Sequence, residues 1–191
     1  MMKIRNLSLL LIFISLFCEA QSQPIVTSIE NPENDGMIVG TITLSNRNKK
    51  NYKKVFSLKK SNLPFEKSRK ETRKAIDSLK RNGNLSDYYD RVNIEKNNCD
   101  FLDANKCVYF FTLVKPKGEY HFYTLQIISA FRGNINPIKL ISLEISFEIE
   151  PGKIKYLGEI NYDEKSGTVE LINNIERDRL NFSQRFPNIT F

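Results

Sequence analysis

The stretch Lys139–Ile149, KLISLEISFEI, alternates between apolar and polar residues and decides the fold. From Ile141 onward, isoleucine, leucine or phenylalanine occupies every second position, and serines and glutamates occupy the positions between them. A period of two residues is that of a β-strand. One buried face and one solvated face are typical of a strand in an antiparallel sheet. The stretch therefore predicts a mainly β fold.

Further strands and turns are predicted on both sides of this stretch. Glu150–Lys153 has Pro and Gly at the positions that favour a type II turn. β-branched and aromatic runs indicate other strands; they cover residues 36–45, 53–58, 107–114, 120–131, 154–162 and 168–172. A turn at 46–51 is predicted to return the second strand beside the first. Gly40 indicates a bulge or a close backbone approach. Residues 87–96 fit either a short strand or a loop.

Two helices are predicted. Residues 65–81, FEKSRKETRKAIDSLKR, are strong helix formers without Gly or Pro. Near the end, Asn173 and Glu176 have the spacing of a capping box. The side chains predicted to share one face of this last helix are Ile175, Arg179, Phe182 and Phe186.

These elements predict a single antiparallel β-sandwich over residues 36–191. A basic helical insertion at about 65–81 and a C-terminal helix at about 174–186 complete it. Residues 21–35 contain two prolines and are predicted to form a flexible lead-in.

The first twenty residues have the pattern of a secretory signal peptide. Lys3 and Arg5 precede an apolar run that ends at Phe17, and Cys18-Glu19-Ala20 supplies small residues for cleavage near Ala20. The apolar run is too short to span about 30 Å of hydrocarbon. The mature protein is therefore expected to be secreted or periplasmic. Lipidation at Cys18 is an alternative, although Phe17 stands where a lipoprotein leader has a small residue.

Cys99 and Cys107 remain after the leader and are predicted to form a disulfide, because export places them in an oxidising compartment. Two reduced, partly buried thiols are the alternative. A structural zinc site needs four Cys or His ligands, and His121 is the single histidine of the chain. No metal or other cofactor is predicted.

Catalytic motifs are absent from the sequence. It contains no G-x-S-x-G elbow, no G-x-G-x-x-G and no Walker A pattern. His121 is interpreted as a strand residue on the same face as Tyr123 and Leu125. The carboxylates that could serve a hydrolase are Asp87, Asp90, Glu95, Asp100 and Asp103. They are interpreted as solvated loop residues, but convergence of two of them within about 5–10 Å would favour a carboxylate-dependent hydrolase.

Positive charge is concentrated in one segment. The chain has 29 basic and 22 acidic residues, and residues 45–81 contain 14 basic against three acidic ones. The candidate patch for an anionic partner comprises Lys67, Arg69, Lys70, Arg73, Lys74, Lys80 and Arg81. The candidate partners are an envelope protein or an anionic glycan or lipid. Since aromatic residues are not interleaved, specific nucleic-acid binding is not expected; a solvated helix face is the alternative.

Three segments resemble known proteins. Lys115–Leu125, KPKGEYHFYTL, resembles an element of prealbumin-like, carboxypeptidase-regulatory-like β-sandwiches. Phe147–Ile160 and Glu176–Ile189 resemble segments of bacterial envelope proteins of that general shape. The resemblance specifies turns and strands, so it implies a fold and carries over no active site. Residues 45–105 depart from it.

The sequence thus favours an exported, non-catalytic structural or binding module of the envelope or extracellular space. The alternatives are a carboxylate-dependent extracellular hydrolase and a weak binder of anionic polymers through residues 45–81.

Overall fold

The computed structural model describes residues 25–45, 53–61, 89–94, 99–104, 106–131 and 134–191. The elements of these residues are mainly strands, as predicted. In chain order the strands are β1 (Asp35–Ser45), β2 (Lys53–Lys60), β3 (Tyr89–Ile94), β4 (Phe101–Asp103), β5 (Lys106–Pro116), β6 (Gly118–Phe131), β7 (Asn134–Ile149), β8 (Ile154–Asp163) and β9 (Val169–Ile172). One helix, α1 (Ile175–Arg185), follows them.

The strands form two sheets. Sheet I has the order β4-β5-β1-β8-β9, and sheet II has the order β3-β2-β6-β7. β1 and β8 are parallel, and the other pairs are antiparallel. The prediction of a purely antiparallel arrangement is therefore wrong for β1 and β8. Alternation of apolar residues specifies which face of a strand is buried, but it carries no information on the direction of the neighbouring strand.

Gly40 lies where β1 and β8 shift register, between Val39 and Gly40. A Cβ atom at Gly40 would lie 2.7 Å from the carbonyl oxygen of Gly158 and 2.7 Å from Cζ of Phe111. The predicted bulge and the predicted close approach are both confirmed.

Two turns carry the chain from one sheet to the other. Lys117 lies between β5 of sheet I and β6 of sheet II, and Glu150–Lys153 joins β7 of sheet II to β8 of sheet I. In the second turn the amide of Lys153 donates to the carbonyl of Glu150 at 3.2 Å, and Gly152 has φ of 68°. This geometry fits the predicted type II turn.

β2 was predicted to return beside β1, and this is wrong. β2 pairs with β3 and β6 in sheet II, because β-propensity and turn residues set local conformation without choosing a neighbour. Residues 87–96, which fitted a strand or a loop, contain β3.

The inner faces of the two sheets share one core. Ile42 of β1, Phe56 of β2, Phe111 of β5 and Phe122 of β6 belong to the same buried cluster. The predicted faces of β7 are confirmed. Its buried residues are Leu143, Phe147 and Ile149, and its exposed ones include Ser142, Glu144, Ser146 and Glu148.

A second, smaller core lies on the outer face of sheet I. Met37 and Val39 of β1 and Phe110 of β5 pack there against Phe182 of α1. The rings of Phe110 and Phe182 have centroids 4.2 Å apart. β1 consequently buries both faces, which explains its nearly continuous apolar sequence.

α1 confirms the position of the predicted C-terminal helix, but its buried face differs from the prediction. Asp178 and Phe182 are its buried residues, whereas Arg179 is exposed. The side chain of Asn173 accepts a hydrogen bond from the amide of Ile175 at 3.2 Å. The capping box is not formed, since Glu176 pairs with Arg179 instead.

Several predictions fall on residues outside the described ones. They are the signal peptide over residues 1–20, the turn at 46–51 and the basic helix at about 65–81 with its whole candidate patch. The described part of the lead-in, residues 25–34, forms neither helix nor strand. Its Ile25 and Ile29 pack against the outer core of sheet I.

Candidate functional site

A completely buried carboxylate, that of Asp178, lies between α1 and sheet I. Its Oδ2 accepts hydrogen bonds from Oγ1 of Thr41 at 2.7 Å and from the hydroxyl of Tyr156 at 2.6 Å. Its Oδ1 accepts from Nε and an amino group of Arg177 at 2.8 and 2.6 Å. Four donors thus satisfy the charge of Asp178.

Arg177 links this carboxylate to two others. Its guanidinium pairs with Asp103 at the end of β4 and with Glu159 of β8, each at 2.7 Å. The side-chain amide of Asn174 also donates to Glu159. We call these residues the helix–sheet cluster; its members are Thr41, Asp103, Tyr156, Glu159, Asn174, Arg177 and Asp178.

The cluster shifts two pKa values. Burial raises the pKa of Tyr156, and the hydrogen bond to Asp178 and its charge raise it further. Burial works against the charge of Arg177, but the hydrogen bonds with Asp103 and Asp178 outweigh it, so the pKa of Arg177 is raised. Both groups therefore keep their protons, and neither is poised for proton transfer at neutral pH.

The chemistry of the helix–sheet cluster is that of an anchor. A general base needs a free lone pair within reach of a substrate proton, whereas the Asp178 oxygens are occupied and have no exposure. The sequence does not predict the burial of Asp178, because a charged residue in an amphipathic helix normally lies on the solvated face.

The described carboxylates that were candidates for catalysis each pair with a different basic residue. Asp90 pairs with Lys115 at 2.8 Å, across the two sheets. Asp100 accepts from the amide of Phe110 at 2.7 Å and pairs with Arg185 of α1 at 2.7 Å. Burial raises the pKa of Asp100, although the Phe110 amide and Arg185 act in the opposite direction.

Asp103 belongs to the helix–sheet cluster, and Asp87 and Glu95 lie outside the described residues. The structure therefore joins the described carboxylates to basic residues and brings no pair of them together in the groove described below.

The sulfur atoms of Cys99 and Cys107 lie at disulfide distance, with Cα atoms 5.2 Å apart. The pair links Cys99, two residues before β4, to Cys107, the second residue of β5. The same β4–β5 hairpin carries Asp103, the partner of Arg177 in α1.

His121 lies on the outer face of sheet II. Its Nδ1 is 3.2 Å from Oγ of Ser61, and its ring meets Tyr123 edge to face. Burial lowers the pKa of His121, and the nearby charge of Lys59 adds to this. Tyr123 shares the face of His121, as predicted. The prediction is wrong for Leu125, which lies in the inner core. The reason is a bulge in β6 between Phe122 and Thr124, which reverses the alternation of faces.

Two ion pairs, each with a buried lysine, connect the sheets at opposite ends. Lys54 of β2 pairs with Glu164, after β8, at 2.6 Å, and both side chains are almost fully buried. Lys115 of β5 pairs with Asp90 of β3 at the other end. The burial of Lys54 has a signal in the sequence, since the strand period of two residues places Lys54 on the same face as Phe56 and Leu58.

A groove of about 380 Å³ lies between β7 and the start of β9. Its walls are formed by Ile141–Ile145 of β7 and by Gly167, Thr168 and Val169. The sequence predicts β7 but not the groove, because the position of a strand at the edge of its sheet depends on strand pairing.

Within the described ranges, no group of three or more His, Cys, Asp or Glu residues is arranged to hold a metal ion. The same part of the chain contains no helix with the length and apolar character needed to cross a membrane.

Comparisons with known proteins give one structural likeness. No family model matches the chain, and no curated protein matches it. A leucine-rich repeat protein from Bacteroides thetaiotaomicron aligns with 68% of this chain at 10% identity and a TM-score of 0.33. The aligned part is 14% of that protein. A likeness this low carries no argument on fold or function, and the resemblance to prealbumin-like sandwiches stays a prediction.

Proposed function

We propose that the chain is an exported, non-catalytic β-sandwich module of the cell envelope or extracellular space, which acts by binding a partner. The observation that carries the proposal is the use of its buried charges. Each of the four buried charged residues in the described part of the chain pairs with or hydrogen-bonds to another element; they are Lys54, Lys115, Glu159 and Asp178.

The packing of two sheets around a shared core supports the sandwich architecture. The leader pattern of residues 1–20 and the Cys99–Cys107 pair support export, because disulfides persist in oxidising compartments. The three described carboxylates among those considered for a hydrolase, Asp90, Asp103 and Asp100, pair with Lys115, Arg177 and Arg185. No observation on the described residues favours that alternative.

The test is to express the full chain in a bacterium and follow its location, its N-terminus and its captured partner. We expect an exported protein that begins near Gln21, keeps its two cysteines oxidised and cross-links to a specific envelope component. Recovery as an uncleaved cytoplasmic protein with two alkylatable thiols contradicts export. Hydrolysis of a glycoside or ester that is abolished by Asp103→Asn contradicts the non-catalytic role.

The basic segment at 45–81 gives a separate prediction. If its positive charge attracts anionic polymers, binding to heparin or to vesicles with anionic lipid weakens steeply between low and high salt, since exposed charges are screened beyond about 10 Å at 0.1 M. Binding measured by fluorescence anisotropy across a salt series checks this. An affinity that does not change with salt removes the electrostatic hypothesis. The matched variant is Lys67→Gln combined with Lys70→Gln and Lys74→Gln.

A further inference from the structure

The groove between β7 and β9 follows the backbone of β7. Its lining residues on β7, Ile141–Ile145, are consecutive in sequence. Consecutive residues of a strand point to opposite faces of the sheet. A cavity that touches all of them therefore runs along the free edge of the strand, over roughly 16 Å for five residues.

That edge has backbone groups available for pairing. β7 is the last strand of sheet II and pairs with β6 on its other side. Every second residue of an edge strand directs its N–H and C=O away from the sheet, which makes the edge a template for a further strand. The described residues place no strand beside this edge.

The side chains of the groove alternate in the way that a strand requires. Ile141, Ile145 and Val169 are half-buried and continue the inner core to its open side. Ser142 and Glu144 line the other, exposed side. An incoming strand with apolar residues at every second position would extend the inner core and leave its polar residues in solvent.

Opposite charges mark the two ends of the groove. The exposed ammonium of Lys139 lies against Gly167, at the end where β9 begins. The exposed Glu144 lies five residues further along β7, and it lines the groove. The ends therefore discriminate between the two orientations of a charged, extended ligand.

We infer that the groove binds an extended segment of a partner protein, which adds to β7 as an antiparallel strand with a basic residue beside Glu144 and a carboxylate beside Lys139. Antiparallel addition is chosen because it is slightly more stable per residue than parallel addition. Strand addition to a sheet edge is a general mode of peptide recognition. The inference rests on the proposed binding role and gives that role a partner class.

The probe is a fluorescein-labelled heptapeptide, Val-Lys-Ile-Thr-Ile-Thr-Glu. In antiparallel register its lysine faces Glu144 and its glutamate faces Lys139, with the aliphatic residues on the inner side. The control peptide exchanges the lysine and the glutamate. Anisotropy titrations up to 1 mM peptide are expected to give saturable binding of the first peptide, with the control about five-fold weaker, as about 1 kcal/mol for exposed ion pairs implies.

Matched variants test the position of the charges. Glu144→Lys is expected to abolish the preference between the two peptides, because each peptide then meets one opposite charge and one like charge. Glu148→Lys, on the same exposed face of β7 but outside the groove, is expected to leave it unchanged. Melting curves check that both variants fold. An equal effect of the two variants, or binding of neither peptide by the folded wild-type protein, overturns the inference.

Backbone pairing has its own signature. Two further peptides are N-methylated at alternate amides, in complementary sets. Binding is expected to be lost with the set whose amides face β7 and kept with the other set. Equal binding of both sets overturns strand addition.

Light scattering tests whether a second copy of the chain, and not another protein, fills the groove. A dimer that the peptide dissociates would show that a second copy of the chain fills the groove, which overturns the assignment to another protein. Capture of an envelope partner that the peptide does not displace would contradict the groove while leaving the proposed binding role in place.

Discussion

At the scale of single residues, the charged contact between α1 and sheet I depends on the buried carboxylate of Asp178. Asp178 has no exposure, yet Thr41, Tyr156 and Arg177 supply its hydrogen bonds. A buried charge is tolerated only when it is paired and hydrogen-bonded. Removing one partner of such a pair costs more than the pair itself contributes, because the remaining charge stays buried.

Asp178→Asn is therefore expected to destabilise the protein by about 2–3 kcal/mol. The amide keeps the shape of the carboxylate, but its NH2 group cannot accept the hydrogen bonds that Tyr156 or Arg177 donates to Asp178. Urea unfolding measures the change. The matched control is Glu176→Gln on the same helix, whose side chain is 84% exposed; it is expected to stay within about 0.5 kcal/mol of the wild type. Equal stability of the two variants contradicts the anchoring role.

Tyr156 gives a prediction for alkaline pH. The folded protein raises the pKa of Tyr156, whereas an unfolded tyrosine titrates at about 10. The contribution of Tyr156 to stability is complete below that pH and is lost as pH rises above it, because the unfolded state releases a proton that the folded state keeps. The difference in unfolding free energy between wild type and Tyr156→Phe is expected to shrink above about pH 10. Unfolding free energies of the two proteins that stay parallel across this pH range contradict the raised pKa of Tyr156.

At the scale of elements, the sequence located strands and turns but not their neighbours. β7, the Glu150–Lys153 turn and α1 were predictable because alternation, Pro-Gly order and helix formers act within a few residues. The parallel partner of β1 and the sheet of β2 were not, since pairing is decided between residues far apart in the chain. The groove and Asp178 escaped for the same reason, as both exist only after the sheets and α1 meet.

Gly40 tests the bulge between β1 and β8. Gly40→Ala places a methyl group against the Gly158 carbonyl and the Phe111 ring, both at 2.7 Å. Overpacking of this kind costs about 1–3 kcal/mol, and urea unfolding should show it. Phe111→Leu in the same background is expected to recover part of the loss, because it removes one of the two clashes. A neutral Gly40→Ala contradicts the close approach.

At the scale of the whole molecule, the described residues are arranged in three layers, with sheet I between sheet II and α1. The β4–β5 hairpin and the residue before it tie sheet I to α1, because they carry Asp103 and Asp100, the partners of Arg177 and Arg185 in α1. The Cys99–Cys107 pair closes the same hairpin.

Loss of the disulfide is therefore expected to reach α1 as well as β4. Cys99→Ser combined with Cys107→Ser is expected to cost roughly 2–3 kcal/mol from loop-closure entropy. Hydrogen exchange should increase in both β4 and α1. The control is reductant added to the double variant, which should change nothing. Faster exchange confined to β4 contradicts the mechanical link to α1.

The parallel pairing of β1 with β8 has a consequence for synthesis. Met37 pairs with Ile154, which is far away in the chain, so β1 lacks one flanking strand until β8 has been synthesised. Contacts that close so late slow folding. While the chain emerges from the ribosome, sheet I therefore lacks one side of its central strand, and the sheet closes only after β8 has been made.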